Sequence, residues 1–176
     1  MKEIEKIWIE IGYKAFAMDG PNGIKIERIS KEVGKNKSSF YHLFADLEIF
    51  TSQLLSYHIE QSKIVTGKEA KCTGLDDLIE VLVEHKIDLL FNRQLRINRE
   101  NSEFKNCFQT VNEMTISAII PLWNKLLSIE ENLPLNELVL KISLENFFLQ
   151  ITDETINKEW LQEYFKGLKN LVSKVY

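Results

Sequence analysis

Apolar residues return at every third or fourth position through almost all of this 176-residue chain, and nowhere do they sustain a two-residue alternation. Three- and four-residue spacing lines side chains along one face of a helix, whereas a strand sends successive side chains to opposite faces. The chain is therefore read as all-α, with about nine helices. Three prolines and seven glycines are all that punctuate it, and four of those glycines (Gly12, Gly20, Gly23, Gly34) fall early. Short helices are thus expected at the N-terminal end and long ones behind them.

The first helix is predicted from about Lys2 to Met18, with Ile4, Ile7, Trp8, Ile11 and Ala15 on its apolar face. The run Asp19–Gly23 (DGPNG) ends it in a turn, because Gly and Asn tolerate positive φ and Pro fixes its own. A short helix over Lys25–Val33 buries Ile26, Ile29 and Val33, and Gly34 supplies the left-handed residue that closes it. Asn36 caps a third helix, Lys37–Leu43, and Asp46 a fourth that runs through Phe50, Leu54, Leu55 and His58 to about Val65. The small and charged run Thr66–Gly74 reads as a loop or hinge. Beyond it come helices over Leu75–Phe91, Ser102–Leu127 with a kink at Pro121, Leu135–Ile151 after a break at Glu131–Pro134, and Asn157–Val175.

A helical chain of this length buries enough surface to fold without a disulfide or a metal. Cys72 and Cys107 are too few and too far apart for either, so a reduced, cytoplasmic protein with no cofactor is expected. No run of 18 uncharged apolar residues is present, and the charged first ten residues do not read as a targeting peptide, so no membrane association is expected. An enzyme is disfavoured: there is no glycine-rich phosphate loop, no metal-spaced cluster and no Ser or Cys that can be placed beside a His. His58 and His85 stand alone.

The net charge of −4 argues against a nucleic-acid partner until its distribution is followed. Between Lys25 and Phe44 five basic residues (Lys25, Arg28, Lys31, Lys35, Lys37) face two acidic ones (Glu27, Glu32), so this segment carries +3 and the remainder −7. The same segment, Ile29 to Phe40, has helix-turn-helix punctuation: Ile29, Val33 and Phe40 lock two short helices together, Gly34 makes the turn and Asn36 starts the second helix. Such a helix enters the major groove and shows its outer side chains to bases and phosphates. Here those side chains are Lys35, Lys37, Ser38, Ser39 and His42, with Lys25 and Asn36 close by.

The run GPNGIKIERISKEVGKNKSSFYHLFADLEIF resembles the N-terminal domain of TetR-family regulators. Gly34, Lys37, Phe40, Tyr41, His42 and Phe44 fall in that family's order and spacing, and Phe16, Gly20 and Ile29 also fit. The resemblance implies that Tyr41 and His42 touch backbone phosphates while Lys37, Ser38 and Ser39 approach bases or phosphates. Two positions depart from the pattern: Ile24 and Lys25 replace the usual hydroxyl residue near the start of the second helix, and Leu47 replaces the usual lysine at the first turn of the fourth. The resemblance further implies a repressor with a three-helix DNA-binding domain over 1–47 and a helical effector-binding and dimerisation domain over 48–176, the fourth helix linking them. Double-stranded operator DNA, a second copy of the chain and a small-molecule effector are the implied partners.

For the effector pocket, the aromatic and polar residues of the middle helices are candidates: His85, Phe91, Phe104, Phe108, Asn112, Trp123 and Phe147. For the dimer interface, the broad apolar faces of the last two helices offer Leu138, Ile142 and Phe148, then Trp160, Leu161, Tyr164 and Phe165, then Leu168, Leu171 and Val172. Arg93, Arg96 and Arg99 lie three apart and read as a solvated helix end, as a grip on an anionic ligand or as a contact to the acidic residues of the DNA-binding part. The rival from another class is a helical ligand-binding or sequestering protein without DNA binding, which would not need Lys37 and Tyr41 where they stand.

Overall fold

The computed structural model describes residues 2–127 and 133–172, among which there are nine α-helices, one short 3₁₀ turn and no strand. In chain order they are α1 (Glu3–Asp19), the turn Gly20–Gly23, α2 (Ile26–Val33), α3 (Lys37–Phe44), α4 (Leu47–Glu69), α5 (Leu75–Glu84), α6 (Lys86–Ile97), α7 (Ser102–Leu127), α8 (Leu133–Gln150) and α9 (Lys158–Val172). No helix among the described residues is long and apolar enough to cross a membrane.

An aromatic knot holds α1 to α4 together. Trp8, Phe40, Phe44 and Phe50 are buried with ring centroids 4.8 to 6.4 Å apart, most of them edge to face. Edge-to-face rings set a positive rim against a negative face, which adds about 1 kcal/mol per pair to the burial itself. Gly12 lets α1 and α4 approach: a Cβ there would sit 2.4 Å from Phe50 Cζ. One turn further along α1, Tyr13 and Phe16 stack on Phe91 of α6, each at 4.3 Å, and Phe16 meets Phe104 of α7 edge-on. Gln94 of α6 donates to the Met18 carbonyl at the end of α1. The first helix therefore serves both the N-terminal head and the bundle behind it.

Several expectations need correction. Trp8 and Ala15 are buried as expected, but Ile7 is exposed and Ile9, Tyr13 and Phe16 complete the buried face of α1. The fourth helix continues through Thr66 to Glu69, because Thr66 and Ser62 hydroxyls bond back along the helix, Lys68 pairs with Glu84 of α5 at 2.7 Å and Glu69 is buried. The predicted helix Leu75–Phe91 is two helices, broken at His85 (φ −100°, ψ 28°), whose ring bonds Asp88 in the first turn of α6 at 3.0 Å. Pro134 does not interrupt the chain but sits in the first turn of α8, where its missing N–H costs nothing; Glu131 and Val175 lie outside the described residues. Pro121 lies inside α7, which continues through it.

Arg96 is neither solvated nor turned toward the head. It is buried, its guanidinium pairs with Glu145 of α8 and bonds Asn112 of α7, and its face lies 4.2 Å from the Phe148 ring and 5.2 Å from that of Phe108. Three helices meet on that one planar cation, an arrangement that a lysine could not reproduce.

Candidate functional site

The chain turns from α2 to α3 through Gly34 at φ 71°, ψ 30°. The Gly34 and Lys35 amides donate to the Lys31 and Ser30 carbonyls, which satisfies the end of α2. Asn36 Oδ1 then accepts from the Ser39 amide and the Ser39 hydroxyl, both at 3.0 Å, and so starts α3. Phe40 and Phe44 anchor α3 from below. The opposite face leaves Lys37, Ser38, Tyr41 and His42 exposed and Ser39 half-buried, with Tyr41 propped edge-on against Phe40 at 5.4 Å. Lys25 and Lys35 flank this face, both exposed. Seven of the eight residues named as DNA contacts thus lie on α3 or in the turn just before it, although Asn36 and Ser39 also hold its cap; Lys25 stands at the start of α2, whose Glu27 pairs with Lys37.

Charges on this surface are partly matched within it. Lys37 pairs with Glu27, whose carboxyl is held below its usual range by that hydrogen bond, and Arg28 bridges Asp19 and Glu32. Exposed pairs of this kind are worth little and open readily to a polyanion. Among the described residues Lys25, Lys31 and Lys35 have no ion-pair partner. At the corner into α4, Ala45 has φ 59°, ψ −55° and is spanned by a bond from the Asp46 amide to the Phe44 carbonyl, a strained γ-turn. Asp46 caps α4 at 2.8 Å, and Leu47 and Ile49 emerge exposed beside it. The exposed Leu47 supplies no cation there.

Behind the head a partly open cavity of about 280 Å³ is lined by α4 to α9. Most of its wall is apolar: Val65, Leu78, Leu82, Leu89, Val111, Ile119, Leu140 and Leu144 among others. Of the pocket candidates, Trp123 and Phe147 line it. The others do not: Phe91 and Phe104 are taken up by the stack with Tyr13 and Phe16, Phe108 and Asn112 by Arg96, and His85 by Asp88. Sequence reasoning missed the polar wall: His58, Ser62, Thr66 and Glu69 on α4, Asp88 and Asn92 on α6, and Thr115, Ser143 and Lys169 on α7, α8 and α9. The four on α4 recur at three- and four-residue spacing, the one signal that could have found them.

His58 and Asp88 join the cavity wall to the head through Tyr13 of α1. The Tyr13 hydroxyl is 2.7 Å from both Asp88 Oδ1 and His58 Nδ1. Its single proton goes to the carboxylate, so His58 is the donor at Nδ1 and its Nε2 is a bare acceptor. Burial drives the His58 pKa down to about 3, which agrees with a neutral ring, and burial with Asp88 beside it raises the Tyr13 pKa well above its usual value.

The expected dimer residues divide. Leu138 and Ile142 of α8 and Leu171 of α9 are exposed, while Trp160, Tyr164, Phe165 and Leu168 are half-buried. Phe148, Leu161 and Val172 are buried inside the protomer, Phe148 under Arg96, and cannot be interface residues without unpacking it. Exposed Leu135 and Leu149 extend the α8 stripe.

A short helix presented by a glycine turn, on a helical body with an internal cavity, defines the class of helical helix-turn-helix proteins. The comparisons make the fold specific. A protein of Rhodococcus sp. described as a TetR-family transcriptional regulator superposes with a TM-score of 0.61 at 13% identity, covering 99% of each chain. A TetR-family protein of Mesorhizobium loti gives 0.57 at 18% identity over 98% of this chain and 96% of its own. The chain has the fold of the TetR-family regulators. In sequence, it is 33% identical over 95 residues to YuxN of Bacillus subtilis, an uncharacterised HTH-type transcriptional regulator; the match spans 49% of this chain and a third of that protein. No family model matches the chain.

Proposed function

We propose that this protein is a dimeric, sequence-specific DNA-binding transcriptional regulator, a repressor released from its operator by a small molecule held in the cavity. The observation that carries this reading is the α3 surface: an eight-residue helix with two aromatic anchors beneath it and Lys37, Ser38, Tyr41 and His42 on its outer face, flanked by Lys25 and Lys35. Arranged so, the helix fits a groove about 12 Å wide with cations left over for phosphates. The exposed stripe Leu135, Leu138, Ile142 and Leu149 on α8, together with Leu171, supports pairing of two copies, since a lone protomer gains nothing by showing it to water. Two heads then read half-sites about 34–36 Å apart per helical turn.

Release follows from how the head is attached. The cavity wall and the head share α4 directly, and share α1 through Tyr13. A ligand that moves His58 or Asp88 tilts α1, and with it α2 and α3, away from a spacing that suits both grooves. No catalysis is part of this reading. Footprinting on the DNA upstream of the protein's own coding sequence tests it: the wild type protects a two-fold symmetric site and Tyr41→Ala does not. Equal protection by both proteins, or none by either, refutes it.

A further inference from the structure

Among the described residues, three acceptor atoms in the cavity wall have no hydrogen-bond partner: Glu69 Oε2, His58 Nε2 and Asn92 Oδ1. Their residues are 2%, 1% and 4% exposed. All three atoms are acceptors, His58 Nε2 because the ring proton lies on Nδ1 toward Tyr13. Asp88 differs from them in being partnered, its Oδ1 by the Tyr13 hydroxyl and its Oδ2 by the His85 ring. Two groups run the other way. The Trp123 indole N–H is an unpartnered donor, and Lys169, exposed, is the one lysine or arginine among the described lining residues.

Buried acceptors left unpaired are costly, and a buried carboxylate without a partner most of all. Glu69 receives no hydrogen bond and no ion pair on its side chain, though the chain could have placed any apolar residue there to match its neighbours Val65 and Leu78. It lies about three turns of α4 from His58, roughly 16 Å along the helix axis. The lining along α4 therefore has an acceptor at His58 and a carboxyl group at Glu69, with Val65 and the Ser62 and Thr66 hydroxyls between them, both hydroxyls already bonded to α4 carbonyls. The aromatic residues Trp123, Phe147 and Tyr164 also line the cavity.

We propose that this cavity binds an elongated apolar amine in its protonated form, with the ammonium group against Glu69 and the apolar body along Val65, Leu82 and Ile119. An ammonium donates up to three hydrogen bonds and cancels the buried charge, which supplies both things that Glu69 lacks. A fatty carboxylate of equal length brings like charge to the same place, and an alcohol brings a donor without charge. The inference deepens the effector half of the proposed function and names its ligand class.

Calorimetric titration of the full-length protein at pH 7.5 with decylamine, 1-decanol and decanoate, without DNA, tests it. The expected result is decylamine binding about tenfold or more tighter than decanoate, with Glu69→Gln weakening decylamine by about tenfold and leaving decanol within about threefold. A thermal melt shows that the variant is folded; the amide keeps the shape and removes a buried charge. Decanoate binding as tightly as decylamine, an unchanged decylamine affinity in the variant, or no binding of any of the three overturns the proposal. Because no DNA is present, such a failure leaves the regulator reading standing. Conversely, a protein that binds decylamine but protects no DNA loses that reading and keeps this one.

Discussion

Glu69 also makes a prediction about stability that needs no ligand. Burial pushes its pKa from the ordinary 4.5 up to about 7. In the unfolded chain the carboxyl ionises near its ordinary value, so above that pH the unfolded state gains from an ionisation that the fold resists. The stabilisation from holding this proton is complete below about pH 4.5, declines as pH rises and is gone above about pH 7. The shift corresponds to roughly 3 kcal/mol. Glu69→Gln removes the titration while keeping the outline of the side chain. The stability difference, variant minus wild type, should therefore rise by about 3 kcal/mol between pH 4.5 and pH 8, with the variant the more stable at the alkaline end. His58 titrates in the opposite sense, since its pKa is depressed to about 3 and its contribution is lost as pH falls below its ordinary 6.5. It is common to both proteins and cancels in the difference. Urea unfolding followed by circular dichroism across this pH range measures it. A difference flat to within about 0.5 kcal/mol would show that Glu69 is solvated or paired, and would refute the reasoning.

Other consequences follow from single contacts. Gly34→Ala should cost about 1–2 kcal/mol in urea unfolding, because Gly34 has a left-handed φ and an added methyl meets nothing within 4 Å; a neutral result would mean that the turn is not left-handed. Gly12→Ala drives a methyl into the Phe50 ring and should cost about 1–3 kcal/mol, recovered in part by Phe50→Leu in the same chain; strict additivity of the two changes would deny the contact. Tyr13→Phe should destabilise by roughly 1–3 kcal/mol, since it strips His58 Nδ1 and Asp88 Oδ1 of a buried partner, and a thermal melt unchanged from wild type would contradict that network. Arg96→Ala should cost roughly 3 kcal/mol in the same melt while leaving DNA affinity alone, because its partners Glu145 and Asn112 lie in the bundle; a selective loss of DNA binding would restore the discarded contact to the head.

What could be read from the sequence was what local chemistry decides. Gly34 and Asn36 mark the turn and the cap of α3 by residue type alone, and Phe40, Phe44 and Trp8 recur at helical spacing, so the head was legible down to its outward face. What tertiary contacts decide was not. Nothing near His85 resembles a breaker; the chain bends there and its ring bonds Asp88. Thr66–Glu69 looked like a loop because its residues are small or charged, yet all four are helical, and Thr66 and Glu69 face a cavity. Arg96 was misjudged for a related reason: composition puts arginines at the surface, and only the meeting of α6, α7 and α8 reveals a buried slot between Phe108 and Phe148. The Phe91 and Phe104 rings were offered to a ligand for their chemistry, while the fold uses them to hold α1.

The central claim is that the α3 surface binds operator DNA, and fluorescence anisotropy of a labelled duplex from the upstream region, titrated across a series of salt concentrations, tests it most directly. The account predicts specific binding by a dimer whose logarithmic affinity falls with a slope of about −5 or steeper against the logarithm of salt, Lys35→Ala reducing that slope by about one unit per head and Tyr41→Ala weakening binding outright. Absence of binding at low salt, or an affinity that neither salt nor these two substitutions changes, would contradict it.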